Sequence, residues 1–331
     1  MSTYNFNKTK NKNMYEDQNR YMQGSIVAIV TPFTVSGKIN KKKFKQLIKL
    51  HINSYTTAIV VAGTTGESPT LTHDEHNELL DMAVDYAGGK IPIIAGTGSN
   101  STSEAVELTK YAKRAGADAC LSVNPYYNKP SQRGIINHHS QIADVGLPTI
   151  LYDVAGRSGI NFDLDTTLEL AEHENVIGKK YASGSIDFFT QMMIQKPPFF
   201  RVWSGDDNLT YHFNLLGGDG CISVVANLIP NKFGELMSQS MINSPSFDNP
   251  KTALRIHKEL YKLMKSNFLE NNPANIKHAM YYMGLLDECI LRLPLTEPSL
   301  DIMNKQNKIL NECKKFGVFK DEFWSSPGRI K

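Results

Sequence analysis

Eight short apolar runs punctuate the chain: SIVAIV (25–30), TAIVVAG (57–63), IPIIAG (91–96), ADACLSV (117–123), PTILYDV (148–154), NVIGKKYAS (175–183), FRVWSG (200–205) and GCISVV (220–225). Between them lie longer segments whose apolar residues recur at helical spacing, such as KKFKQLIKLHIN, THDEHNELLDMAVDYA and STSEAVELTKYAKRAG. Runs that are apolar on both faces and separated by helices predict parallel strands buried on both sides. Eight such units predict an α/β fold, a closed (β/α)8 TIM barrel. A doubly wound open sheet is the alternative, and it would favour a glycine-rich turn after the first strand. TPFTVSGKIN follows instead, and GTGSNS (96–101) lacks the third glycine of that motif. Thr72 with Glu75, and Ser101 with Glu104, read as two capping boxes. After the turn-rich INSPSFDNP (242–250), three more helical patterns predict a C-terminal helical extension. The expected organisation is a polar, disordered tail over 1–20, a catalytic barrel over 21–245 and the extension over 246–331.

Composition narrows the classes without naming a function. With 41% hydrophobic residues in 331 there is material for a large core. The net charge of +3 lacks the concentrated basic stripe of a nucleic-acid binder. The densest basic run, Lys41, Lys42, Lys43 and Lys45, opens an amphipathic segment and reads as a solvated helix face. Cys120, Cys221, Cys289 and Cys313 show no CxxC spacing, so neither a disulfide framework nor a zinc site is expected. No apolar run is long enough for a membrane helix, and the tail lacks the apolar core of a secretory signal. A cytoplasmic location follows as the expectation.

In a barrel the chemistry sits where strands end. Those ends carry GTTGES (63–68), NPYYNKPS (124–131), YDVAGRSG (152–159), the adjacent Lys179 and Lys180, SGDD (204–207) and ISVVAN (222–227). No metal-ligand cluster is among them. A lysine, tyrosines, threonine hydroxyls, an arginine and amide-rich loops suit Schiff-base chemistry on a keto acid. An ordinary lysine amine, with pKa about 10.4, is neutral on the order of once in a thousand at pH 7. Desolvation inside a barrel favours the neutral nucleophile.

From Gly24 to Thr296 the strings GSIVAIVTPF, GTTGES, IPIIAGTG, PYYNKPS, SGDD and ISVVAN, in this order, resemble the dihydrodipicolinate synthase (4-hydroxy-tetrahydrodipicolinate synthase) family. This family belongs to the pyruvate-dependent class I aldolases and lyases. The resemblance implies an enzyme of lysine and diaminopimelate biosynthesis that condenses pyruvate with aspartate semialdehyde and needs no cofactor or metal. It implies Lys180 as the Schiff-base nucleophile and Tyr152 as the proton shuttle. Thr64 would link Tyr152 to Tyr127, which reaches in from a neighbouring subunit. Thr64 and Thr65 would hold the pyruvate carboxylate, Arg157 the carboxylate of the aldehyde, and Gly205 and Ile222 would line the pyruvate pocket. A homotetramer built as a dimer of dimers is implied as well. Feedback inhibition by lysine would use Ser68, His73, His76, Asn100, Glu104 and Tyr126. A metal at His73 and His76 and a plain exposed helix start are the other readings of that stretch. A sialic acid or ketodeoxysugar aldolase and a non-catalytic ligand-sensing barrel remain alternatives for the whole chain. Arg157 and the paired threonines favour the synthase, and the intact relay argues against the sensor.

The departures from the family pattern concentrate beside the nucleophile. Lys179 and Tyr181 flank Lys180, Asp153, Ala155 and Gly156 alter the string before Arg157, and Pro69 sits beside the lysine positions. The resemblance, through the downstream ASG (182–184), sets the register on Lys180; if Lys180 points into the barrel, strand periodicity turns Lys179 and Tyr181 outward. Lys179 then needs either a carboxylate partner or a route along which its stem reaches solvent. A bare second ammonium there would lower the pKa of Lys180 by repulsion. A disturbed strand could also mark a repurposed enzyme.

Overall fold

The computed structural model describes residues 22–247 and 250–322. The expected polar tail lies outside them. All eight expected strands form: β1 (Gly24–Ala28), β2 (Thr56–Val61), β3 (Ile93–Gly96), β4 (Ala119–Val123), β5 (Thr149–Asp153), β6 (Val176–Tyr181), β7 (Arg201–Ser204) and β8 (Gly220–Ser223). Each pairs in parallel with its sequence neighbour, and β8 closes on β1 to give a (β/α)8 barrel.

The strands' apolar residues divide between two environments because successive side chains point to opposite faces. Ile26, Ala58, Val60, Ile94, Leu121, Ile150, Trp203 and Ile222 fill the barrel interior. Val27, Ile59, Val61 and Ile93 pack outward against the surrounding helices, as do Leu151 and Val202 on the far side. The Trp203 indole donates to the carbonyl of Met22 at 2.8 Å and ties the segment before β1 to the interior.

β6 is irregular where it matters. Thr149 pairs with Val176, but Ile150 pairs with Gly178, so Ile177 is an extra residue on β6. Such a bulge resets which face later residues occupy. Ile177 lies in the interior, and past the bulge Tyr152 is level with Lys180. Gly178 fits because a Cβ there would sit 2.3 Å from the carbonyl oxygen of Arg201 and 2.7 Å from the Trp203 ring.

The helix starts divide. His73–Ala87 begins with the full capping box of Thr72 and Glu75. The second expected box does not form: Ser101 makes no side-chain cap bond to the helix Thr102–Ala115. Glu104 is drawn away instead, accepting from His73 Nε2 at 2.8 Å and from the Ser99 hydroxyl. The basic run opens the helix Lys41–Ile52, but Lys43 is buried rather than solvated and pairs with Asp287 at 2.8 Å. Beyond the barrel lie the helices Pro250–Ser266, Ala274–Tyr282 and Leu300–Lys315. Among the described residues no helix is long and apolar enough to cross a membrane.

Candidate active site

A cavity of about 410 Å³ opens at the C-terminal ends of the strands. Lys180 and Tyr152 reach it from β6 and β5, Thr64 and Thr65 from the loop after β2, Arg157 from the short helix Ala155–Ser158, and Gly205 from the end of β7. Lys180 is 6% exposed, and its Nζ stands 4.4 Å from the centroid of the Tyr152 ring. The nucleophile candidate and a phenol therefore face the same space from adjacent strands. Gly205 makes room for the lysine stem: a Cβ there would lie 3.0 Å from Lys180 Cε and 2.5 Å from Ala182 Cβ.

Three residues of the set, Ile222, Tyr127 and Asn100, do not line the cavity. Ile222 is fully buried in the barrel interior and is not among the cavity's lining residues. Tyr127 is 91% exposed, in a left-handed backbone conformation with φ of 74°, and does not line the cavity of this single chain. Ser68, His73, His76, Glu104 and Tyr126 line the same cavity as Lys180, at its outer end. Asn100 does not, and its carbonyl accepts from the Asn128 amide at 2.9 Å. His76 is buried, its Nε2 donating to the Gly96 carbonyl at 2.7 Å, and burial lowers its pKa, which keeps the ring neutral. Glu104 is held below the usual carboxylate range by the Ser99 hydroxyl, with His73 adding to the effect.

Lys179 points out of the barrel, as the periodicity predicts. It is fully buried, so the reading in which its stem reaches solvent fails. Its Nζ lies 2.9 Å from Asp153 Oδ2 and donates to Thr167 Oγ1 at 3.0 Å. The rings of Phe162 and Phe188 stand 4.6 and 5.0 Å from it. Burial pushes the Lys179 amine down, and the Asp153 carboxylate opposes that shift. The second ammonium considered from the sequence therefore stands next to Lys180 in the chain with a carboxylate as its companion.

Two residues of the cavity wall escaped the sequence reading. Asp206 stands at the end of β7, where burial pushes its carboxyl up to about 6 against the pull of the Lys180 ammonium. Asn272, from the C-terminal extension, donates through Nδ2 to Thr65 Oγ1 at 2.9 Å, and its carbonyl accepts from Arg157 Nη2 at 3.0 Å. The SGDD string pointed toward the first. Nothing local in the sequence marks the second, which lies about 200 residues from Thr65. Among the described residues no group of three or more His, Cys, Asp or Glu side chains is placed to hold a metal.

Comparison with known proteins gives this geometry a context. The sequence model of the Dihydrodipicolinate synthetase family matches residues 21–313. A 4-hydroxy-tetrahydrodipicolinate synthase of Nitrosomonas eutropha is 47% identical over 275 residues, covering 83% of this chain and 92% of its own length. One of Syntrophotalea carbinolica is 43% identical over 289 residues, with 87% and 97% covered. Among solved structures, the chloride-inhibited dihydrodipicolinate synthase of Acinetobacter baumannii complexed with pyruvate superposes with a TM-score of 0.85 at 40% identity, covering 88% of this chain and 99% of that one. The DHDPS of Cyanidioschyzon merolae with lysine bound gives 0.84 at 35% identity, covering 89% and 99%.

Proposed function

Because the chain belongs to the dihydrodipicolinate synthetase family, we propose that it condenses pyruvate with aspartate 4-semialdehyde through a Schiff base on Lys180. It is a lyase-type enzyme with 4-hydroxy-tetrahydrodipicolinate synthase activity, acting in lysine and diaminopimelate biosynthesis. The observation that carries the assignment is the pairing of Lys180 with Tyr152 across β6 and β5, both facing a cavity that Thr64, Thr65 and Arg157 also line.

The amine of Lys180, once it has given up its proton, attacks the ketone carbon of pyruvate. The Tyr152 hydroxyl carries protons to and from the developing carbinolamine, which loses water to give the imine. The Thr64 and Thr65 hydroxyls hold the pyruvate carboxylate. Loss of a methyl proton gives the enamine, whose terminal carbon attacks the aldehyde while Arg157 holds the aldehyde's carboxylate. Cyclisation through the substrate's own amine releases Lys180 and the hydroxylated ring product. Tyr127, exposed on this chain, completes the relay from a neighbouring subunit of a homotetramer in the cytoplasm.

The test is borohydride reduction with pyruvate, read by intact-protein mass spectrometry. A reduced pyruvyl adduct on the unmodified chain that vanishes in Lys180→Ala and persists in Lys179→Met supports the assignment. Absence of an adduct on the unmodified chain refutes it.

A second reading concerns the outer end of the cavity, where a lysine effector would bind. The supporting observation is the diversion of Glu104 from helix capping to His73 and Ser99 beside Ser68, His76 and Tyr126. A carboxylate held below its usual range suits an ammonium ligand. Titration calorimetry with lysine showing neither heat nor inhibition removes this reading.

A further inference from the structure

The loop that carries Thr64 and Thr65 is fastened from the C-terminal extension. Two residues beyond Thr65, Glu67 sits in a left-handed conformation with φ of 59°, a costly one for a residue with a Cβ. It is held there by the buried ammonium of Lys277 and by the backbone amide of Arg292, the latter at 3.0 Å. Lys277 belongs to the helix Ala274–Tyr282, and Asn272 lies two residues before that helix. The extension therefore reaches the cavity wall in a fixed place.

Asn272 is 5% exposed and lines the cavity. Its Nδ2 donates to Thr65 Oγ1, itself only 2% exposed. A threonine hydroxyl has one proton and two lone pairs. With one lone pair occupied by the Asn272 amide, the proton is left free to point away from Asn272, and Thr65 lines the cavity. The backbone carbonyl of the same residue receives the Arg157 guanidinium. Asn272 Oδ1 has no partner and is sealed from solvent, which costs stability that an apolar side chain would not. A buried amide kept at that cost, with its donor end on Thr65, is hard to explain by packing alone.

We infer that Asn272 is a positioning residue for pyruvate: its amide fixes the Thr65 hydroxyl as a donor toward the keto-acid carboxylate. The inference rests on the proposed role of Thr65. Because the carbonyl that holds Arg157 belongs to the backbone, truncating the side chain leaves the aldehyde end in place. The effect is therefore unequal between the two substrates, which a general loosening of the extension would not produce.

The test is a double-mutant cycle of Asn272→Ala and Thr65→Val on the full-length chain. It is read as the half-saturating pyruvate concentration in borohydride trapping and as the KM for each substrate. Asn272→Ala is expected to raise the pyruvate value about tenfold, the equivalent of one lost hydrogen bond, with the aldehyde KM within about twofold. The double variant is expected to be no weaker than Thr65→Val. A normal pyruvate value in Asn272→Ala beside a raised one in Thr65→Val overturns the inference. So does an Asn272→Ala effect that persists in full on the Thr65→Val background. A normal pyruvate value in Thr65→Val overturns the assignment of Thr65 itself, a separate failure. Should Asn272→Ala fail to fold, Asn272→Asp keeps the shape while making the partner acceptor-only. Thr65 must then donate to it, and an unchanged pyruvate value in that variant also overturns the inference.

Discussion

Lys179 and Asp153 meet on the outer face of the barrel wall, Nζ 2.9 Å from Oδ2, behind the Lys180 and Tyr152 side chains that face the cavity. Both are sequence neighbours of the proposed reacting pair, and both are buried. The Ser183 hydroxyl donates to the other carboxylate oxygen at 3.2 Å, and Thr167 accepts from the ammonium. The two buried charges thus compensate each other. Neither charge would be tolerable alone among Phe162, Phe188 and Tyr181.

Breaking this pair from one side is predicted to be costly. Asp153→Asn leaves a buried ammonium without its carboxylate, and a loss of about 3–5 kcal/mol in unfolding free energy is expected. Replacing both partners, as Asp153→Asn with Lys179→Met, removes the stranded charge and is expected to recover most of that loss. Urea denaturation of the two single variants and the double variant gives the coupling directly. Additive losses would mean that the two side chains do not depend on each other.

Much of this was readable from the chain, and the unread parts share a physical cause. The barrel follows from eight apolar runs, the choice of Lys180 from the family register of ASG (182–184), and the outward placement of Lys179 from strand periodicity. Legible too was that Lys179 needs either a route to solvent or a carboxylate partner. Its identity was not, since Asp153 meets it only through the pairing of β5 with β6. The bulge at Ile177 left no mark, and neither did the bond from Asn272 to Thr65, for long-range contacts have no local signature. Ser101 and Glu104 carry a sound capping pattern, but His73 and Ser99 outcompete the helix end for the carboxylate.

Gly205 sets the room available to the nucleophile. A methyl group there would stand 2.5 Å from Ala182 Cβ and 3.0 Å from Lys180 Cε, so Ala182 must shift and the lysine stem must give by a few tenths of an ångström. Displacing a reacting group by about 1 Å can cost on the order of a hundredfold in rate, so with this smaller shift Gly205→Ala is expected to lose about tenfold in kcat. Gly156 is the control on the same rim, since a Cβ there meets nothing within 4 Å. Gly156→Ala should leave kcat within about twofold by steady-state assay. Equal losses in both would show that the rim as a whole, not the space beside Lys180, limits the rate.

Arg292 grips Glu75 with both terminal nitrogens at 2.6 Å while also donating to the carbonyls of Gly37 and Thr70. The guanidinium lowers the Glu75 carboxyl from 4.5 to about 2. A carboxyl depressed in the folded state stabilises the fold above its unfolded value, and that stability disappears as pH falls from 4.5 toward 2. Arg292→Met is therefore expected to lower stability by about 1–3 kcal/mol near neutral pH. The gap to the unmodified chain should narrow below pH 4.5 as Glu75 protonates in the unfolded state. Thermal melts across that range measure it, and a gap that stays constant with pH would remove Glu75 as the cause.

Tyr126 and Tyr127 are adjacent in the chain but face different surroundings. Tyr126 lines the outer cavity with His73 and Glu104, while Tyr127 turns outward through a left-handed backbone step. A ligand packed on Tyr126 would bear on the placement of Tyr127 through one peptide bond, without any larger movement of the barrel. If lysine acts through this step, Tyr126→Ala should raise the half-inhibitory lysine concentration about tenfold or more, the scale of one lost aromatic contact. Activity without lysine should stay within a few-fold, because Tyr126 is distinct from the reacting pair. Inhibition curves on the two proteins at fixed substrate separate the possibilities. An unchanged curve would place the effector away from Tyr126, whereas a lost curve with intact basal activity would fix the outer cavity as the regulatory end of the same space in which Lys180 reacts.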